Sequence, residues 1–178
     1  MSIRCLMLSI AIVALPPPPA DAAERAPLTP TQARAAFERF RALAGRWKER
    51  STKGWTEHTV YELIAKGSVL LSRSEFDDPA AAAEGMADAI HLDGDRLLLT
   101  HYCEAGNQPR LVASSATPDL KEIEFTFLDG TNLRSRDQGH MDRIVFRFED
   151  ASHFRSQWDW YADGHARPFE EVTHERIR

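Results

Sequence analysis

Apolar and polar residues alternate with a period of two along the chain from about residue 46 to its end. Short turn-forming pairs such as Asp93-Gly94 and Asp129-Gly130 interrupt the alternation. Alternation bounded by turn residues predicts β-strands, here at about 46–52, 55–65, 68–78, 86–93, 96–105, 109–117, 122–129, 139–149, 152–162 and 167–177. Because no helical pattern separates them, we predict an all-β fold. It is a single antiparallel up-and-down β-barrel of about ten strands, which closes without exposed edges.

A helical period precedes the strands. Apolar residues at positions 36, 37, 40, 43 and 44 follow Thr29-Pro30, a capping hydroxyl and a proline suited to a first helical turn. Gly45 is a residue that commonly ends helices. We therefore predict a segment 23–44 that contains a short N-terminal helix, followed by a barrel domain at 45–178.

The first 22 residues have the character of a secretory signal peptide. Arg4 precedes an apolar stretch from Cys5 to Leu15, and Ala20-Asp21-Ala22 fits a small-x-small cleavage site. We predict that residues 1–22 are removed and that the protein is exported, to the periplasm or beyond the cell, without stable membrane insertion. Cys103 is then the sole cysteine, so no disulfide forms within the chain.

The formal net charge of −5 is mildly acidic, and charges of both signs are spread along the chain. Such a chain lacks the basic surface that nucleic acids and anionic membranes attract. The composition therefore argues against nucleic acid and against an anionic membrane as a partner.

Candidate binding residues lie on a predicted hairpin at 90–103. Its outgoing strand places His101 and Cys103 on the same face as Leu97 and Leu99, because side chains alternate across a strand. Polar groups at the end of an apolar stripe are typical of a pocket lining. We predict that both side chains point into the barrel.

A tight turn between the eighth and ninth predicted strands pairs Ile144 with Trp158. Continuing the same register turns His140, Asp142 and Trp160 inward, towards one end of the barrel. Trp158 and His140 therefore join the predicted pocket.

Gly45-Arg46-Trp47, directly after the helix, resembles the G-x-W segment of the calycin superfamily, which includes lipocalins, fatty-acid-binding proteins and nitrobindin-like barrels. The resemblance implies that Trp47 fills the closed end of the barrel and that Arg176 covers it, a favourable cation–π contact. The strand count favours the nitrobindin-like branch. The chain also resembles uncharacterised secreted bacterial proteins with this fold.

Nitrobindin-like proteins bind haem through a histidine of the last strand, a position that His174 matches here. The resemblance thus allows haem as a cofactor. The residues around His174 do not match that haem pocket, however, and Glu49 replaces the second glycine of the longer G-x-W-x-G pattern.

The sequence contains no complete catalytic or metal-binding motif. His101 and Cys103 could ligate zinc with His140, or act as base and nucleophile, but no further ligand or orienting carboxylate is evident. We predict an exported barrel that binds a small apolar or amphipathic molecule through His101, Cys103, His140, Trp158 and His174. The alternatives are an enzyme using haem at His174 or acid–base chemistry at His101 and His140, and a filled barrel acting as an envelope interaction protein.

Overall fold

A computed structural model describes residues 26–75 and 85–177. The predicted signal peptide at 1–22 lies outside the described residues. One α-helix, α1 (Pro30–Arg41), precedes the sheet, and a short 3₁₀ turn spans Ala65–Gly67. The strands are β1 (Gly45–Ser51), β2 (Thr56–Ile64), β3 (Val69–Glu75), β4 (Ala87–Asp93), β5 (Arg96–Tyr102), β6 (Gln108–Ala116), β7 (Glu122–Thr131), β8 (His140–Phe148), β9 (His153–Ala162) and β10 (His165–Arg176).

All ten strands pair antiparallel with their sequence neighbours, and β1 pairs with β10 to close the barrel. The predicted all-β up-and-down barrel is therefore confirmed. Closure leaves every strand with two partners, so the sheet needs no disulfide or covering layer to protect an edge.

Helix α1 closes one end of the barrel. Thr29 caps it in a reciprocal capping box with Gln32, which satisfies backbone donors that the first turn leaves free. Phe40, on its buried face, lies edge-on to Phe125, Phe146 and Phe148, with ring centroids 5.0–5.7 Å apart. The aromatic contacts bury the apolar stripe that the sequence pattern predicts.

Trp47 and Arg176 meet at the same end. Trp47 is fully buried and donates its indole N–H to the Leu43 carbonyl at 2.7 Å. The Arg176 guanidinium lies 4.4 Å from the centre of the Trp47 ring and donates to the carbonyls of Ala42 and Ala44. The last strand is thereby attached to the C-terminal end of α1.

The register of β8 and β9 departs from regular alternation. Ile144 pairs with Trp158 as predicted, but a β-bulge between Met141 and Arg143 shifts the pairs beyond it. Met141 therefore faces Trp160, where the sequence register placed Asp142. A bulge inserts one residue and reverses the faces of those that follow, so the prediction that His140 and Asp142 point into the interior pocket is corrected.

Candidate functional site

The barrel interior contains a cavity of about 60 Å³ at the end away from α1. One water needs roughly 10–15 Å³ of such space, so several waters or a small chemical group fit. The apolar residues of the cavity lining include Tyr61, Phe146, Trp158 and Val172. Its polar residues include two histidines, four carboxyl groups and several hydroxyls: Glu49, Glu57, Ser72, Asp88, His101, Ser156, Glu170 and His174.

A wider cleft of about 510 Å³ lies at the barrel mouth. It shares Trp55, Glu57, Met86, Met141 and Glu170 with the inner cavity, so these side chains stand between the two spaces. The remaining cleft residues include a stacked aromatic pair, Trp160 and Phe169, with Cys103 and Lys53. The mouth is thus larger than the interior, and its lining combines aromatic and methionine side chains with charged ones.

Four side chains form a hydrogen-bonded chain along one wall of the cavity. His174 Nδ1 lies 2.9 Å from Glu49 Oε1, and His174 Nε2 lies 2.9 Å from Ser156 Oγ. Trp158 donates its indole N–H to Ser156 Oγ at 3.0 Å. The three groups of the Glu49–His174–Ser156 series are all nearly inaccessible to solvent, and the His174 ring stacks on Phe154.

The opposite wall contains a second histidine–carboxylate pair. His101 Nδ1 lies 2.8 Å from Asp88 Oδ1, and Ser72 donates to the other oxygen of Asp88. Burial opposes protonation of His101, but the hydrogen bond to Asp88 and its charge, with a smaller contribution from the neighbouring Cys103, outweigh burial and raise the pKa of His101 to about 9. At neutral pH the ring is an imidazolium. Its Nε2 is buried and has no acceptor among the described residues.

The remaining carboxylates make the cavity strongly acidic. Burial and the nearby Glu49 raise the pKa of Glu57 to about 7. Burial, together with Glu49 and Asp88, raises the pKa of the Tyr61 phenol well above its ordinary value. Both shifts have the cause expected where negative charges crowd into a desolvated space.

The predicted pocket residues divide between three places. His101, Trp158 and His174 line the inner cavity, and the His101 and Trp158 rings lie 5.0 Å apart. Cys103 lies just beyond β5 and lines the mouth cleft, half-buried. His140 does not line either space.

His140 packs instead beside the connection between β7 and β8. Its ring lies 4.6 Å from Phe127 and 5.5 Å from Tyr161, and it contacts Arg136 and the Gln138 carbonyl. Burial and the Arg136 charge lower the pKa of His140. The structure therefore separates His140 from the His101 side chain, and the acid–base pair considered from the sequence does not form.

Neither haem nor a metal fits the arrangement of His174 and His101. Both ring nitrogens of His174 are engaged, by Glu49 and Ser156, and one face of the ring is covered by Phe154. A space of about 60 Å³ is also far smaller than the roughly 300–1,000 Å³ of cofactor-sized pockets. Within 26–75 and 85–177, no group of three or more His, Cys, Asp or Glu side chains is arranged to hold a metal ion.

Glu49, Ser156, Asp88 and Glu57 are site residues that sequence reasoning missed. Glu49 follows Trp47 by two positions, and Ser156 lies two positions from both Phe154 and Trp158. Alternation alone thus gave a signal for both, because each shares a face with residues predicted to point inward. Nothing local to Asp88 or Glu57 distinguishes them from carboxylates on the solvent face.

The fold and the cavity together define a closed ten-stranded antiparallel barrel with an acidic, histidine-containing interior. No family model matches the sequence, and no curated protein matches it. Among solved structures, a protein of unknown function from the DUF3598 family of Nostoc punctiforme is similar, with 13% identity and a TM-score of 0.49. The match covers 78% of this chain and 49% of that chain, so this chain spans about half the length of that protein.

In the segments that the structure describes, no helix combines the length and the apolar character needed to cross a bilayer.

Proposed function

We propose that this protein is an exported barrel of the calycin type that binds a small amphipathic molecule, with the polar head in the inner cavity and the apolar body in the mouth cleft. The observation that carries the proposal is the buried Nε2 of His101, a hydrogen-bond donor without an acceptor among the described residues. An unpaired buried donor costs about 1–3 kcal/mol. A ligand oxygen that accepts this bond would recover that energy on binding.

The charges around His101 restrict the head group. Asp88, Glu49 and Glu170 line the same small space as the His101 ring. A carboxylate or phosphate head would enter a cavity already lined by several carboxyl groups, and desolvated like charges repel strongly. The favoured head is therefore an uncharged acceptor such as a hydroxyl or a carbonyl.

The mouth cleft suits the apolar body of such a molecule. Trp160 and Phe169 stack with ring centroids 5.8 Å apart, and Met86 and Met141 lie at the boundary with the inner cavity. Aromatic surfaces provide a large apolar contact area, and methionine adapts to irregular shapes. Burial of apolar surface at roughly 25 cal/mol per Å² would supply most of the affinity.

Displacement of the neutral fluorophore N-phenyl-1-naphthylamine tests the proposal. We expect 1-octanol to displace it at lower concentration than octane, because only the alcohol accepts from His101, and octanoate to be the weakest competitor. If octanoate competes as well as 1-octanol, or if the dye does not bind, the proposal is wrong.

The variant His101→Asn isolates the donor. The asparagine amide occupies the position of Nδ1, so it keeps a donor towards Asp88 while the Nε2 donor is lost. We expect the advantage of 1-octanol over octane to disappear in this variant. His153→Asn is the matched control, because His153 forms the same kind of pair with Asp150 at 3.0 Å on the surface.

A further inference from the structure

We propose that Ser156, His174 and Glu49 are a nucleophile, a base and an orienting carboxylate that hydrolyse short-chain esters entering the barrel. The inference rests on the proposed function only for the location of the substrate, with its carbonyl in the inner cavity and its alcohol portion in the mouth cleft. No such role follows from the barrel fold itself.

The two ends of the hydrogen-bonded chain determine the direction of its protons. The indole of Trp158 has only a donor, so Ser156 Oγ accepts from it and its own hydroxyl proton points elsewhere. The other partner at hydrogen-bond distance is His174 Nε2 at 2.9 Å. Glu49, when ionised, only accepts, so the proton of His174 lies on Nδ1. Nε2 is therefore free to receive the proton of Ser156, as nucleophilic catalysis by a serine requires.

Neighbouring strands fix the three groups in place. Glu49 on β1 is paired directly with His174 on β10, and Ser156 on β9 pairs with Val172, two positions from His174. Sites built on paired strands vary less in geometry than sites on loops. The His174 ring is further fixed by stacking on Phe154, with centroids 3.9 Å apart.

On the opposite wall, His101 supplies the hydrogen-bond donor that stabilises the carbonyl oxygen as it becomes negative. Its Nε2 donor lacks an acceptor among the described residues, and its ring lies 5.0 Å from Trp158, whose indole N–H contacts Ser156. Because the cavity measures only about 60 Å³, a carbonyl group that reaches Ser156 also lies near His101. A fixed donor aimed at the developing oxyanion is the usual means of stabilising such a transition state.

The reaction has two steps, acylation of Ser156 and hydrolysis of the acyl-serine. Ser156 Oγ adds to the ester carbonyl carbon while its proton passes to His174 Nε2, and the negative carbonyl oxygen accepts from His101. The C–O bond to the alcohol then breaks, and the alcohol leaves with the proton from His174. Water adds to the acyl-serine with His174 again as base, and the carboxylic acid leaves as Ser156 regains its proton.

The cavity volume limits the acyl group. A space of about 60 Å³ accepts an acetyl or propionyl group but no long chain, whereas the cleft of about 510 Å³ accepts an aromatic or branched alcohol portion. The substrate class is therefore an ester of a short acid and a larger apolar alcohol.

The test uses p-nitrophenyl acetate for turnover and an alkyl fluorophosphonate for covalent labelling, with the labelled peptide identified by mass spectrometry. We expect labelling at Ser156 and a loss of turnover of at least 100-fold in Ser156→Ala. Ser115→Ala is the matched control, because Ser115 is a half-buried strand serine outside the cavity, and it should react as the wild type does. Identification of the peptide separates Ser156 from acylation of Cys103.

A second variant covers the case in which Ser156→Ala fails to fold. Glu49→Gln preserves the shape of the carboxylate but favours the wrong His174 tautomer, so turnover should fall by about 10²–10⁴, and a cooperative urea unfolding transition shows that the variant is folded. If wild-type Ser156 is not labelled, or if Glu49→Gln retains full turnover, the triad is refuted. Dye binding without labelling would leave the binding function intact, so the two proposals fail separately.

Discussion

The Asp88–His101 pair predicts a specific dependence of stability on pH. Despite burial, the hydrogen bond to Asp88 and its charge, with a smaller contribution from the neighbouring Cys103, raise the pKa of His101 from its ordinary 6.5 to about 9. The folded state therefore binds this proton more tightly than the unfolded state does. The resulting stabilisation is complete below pH 6.5 and is lost progressively as the pH rises to about 9.

Its magnitude follows from the two pKa values. Each pH unit between them corresponds to about 1.4 kcal/mol, so the whole interval amounts to about 3 kcal/mol. This is a large fraction of the 5–15 kcal/mol that stabilises a typical domain. Replacing Asp88 by Asn removes the charge that favours the imidazolium, and burial then keeps His101 neutral throughout the interval.

Urea unfolding of the wild type and of Asp88→Asn, at steps from pH 6 to pH 10, measures the effect. We expect the wild type to exceed Asp88→Asn in unfolding free energy by an amount that is greatest at pH 6 and smaller by about 3 kcal/mol at pH 10. Because the comparison takes the difference between the two proteins, the contributions of other groups that titrate in this range, such as Glu57, cancel. Asp150→Asn is the control, because its partner His153 lies on the surface. A difference that stays constant from pH 6.5 to pH 9.5 would refute the reasoning.

Two further substitutions test the cavity and the closed end. Burial and Glu49 raise the pKa of Glu57 to about 7, so ionisation of Glu57 above that pH disfavours the fold. Glu57→Gln should therefore stabilise the protein above pH 7, by about 1 kcal/mol once solvent screening is taken into account. Thermal melts at pH 5 and pH 8.5 measure the effect, and equal effects at the two pH values would contradict it. Arg176→Ala should destabilise the fold by about 2–3 kcal/mol through loss of the Trp47 contact and of three hydrogen bonds to backbone carbonyls. The exposed Arg155→Ala should change the stability little.

The strand order was predictable from the sequence because the interior and exterior of a barrel alternate residue by residue. Leu97, Leu99 and His101 share a face on β5 as the pattern indicates, and exposed Tyr102 lies on the other. A closed sheet needs no information beyond consecutive pairing, since each strand follows its neighbour in the chain. Local turns such as Asp93-Gly94 therefore determined most of the topology.

The bulge at Met141 was not predictable in the same way. No glycine or proline among the residues of the bulge, Met141 to Arg143, marks an irregular position in the sequence. The extra residue becomes visible only in the pairing of β8 with β9, where Met141 faces Trp160. An alternation pattern assumes an unbroken ladder, so it placed His140 on the wrong face.

The carboxylates of the site were hidden for a different reason. Alternation can place a carboxylate such as Glu49 on the inward face, but its role in the site shows only through the partner that compensates it, and the partners lie far away in sequence. Glu49 and His174 are 125 positions apart. His101, Trp158 and His174 could be found because they lie inward on regular strands.

The two ends of the barrel make opposite contributions to stability, which bears on why the interior is polar. At the closed end, Phe40, Trp47 and Arg176 bury aromatic surface and satisfy the helix carbonyls, and each contact favours folding. In the cavity, burial and Glu49 disfavour the ionised form of Glu57, and His101 keeps a buried donor without an acceptor among the described residues. Apolar side chains in the same places would make a more stable barrel. Folding therefore does not account for these groups, and the ligand oxygen that we propose would account for the buried donor of His101.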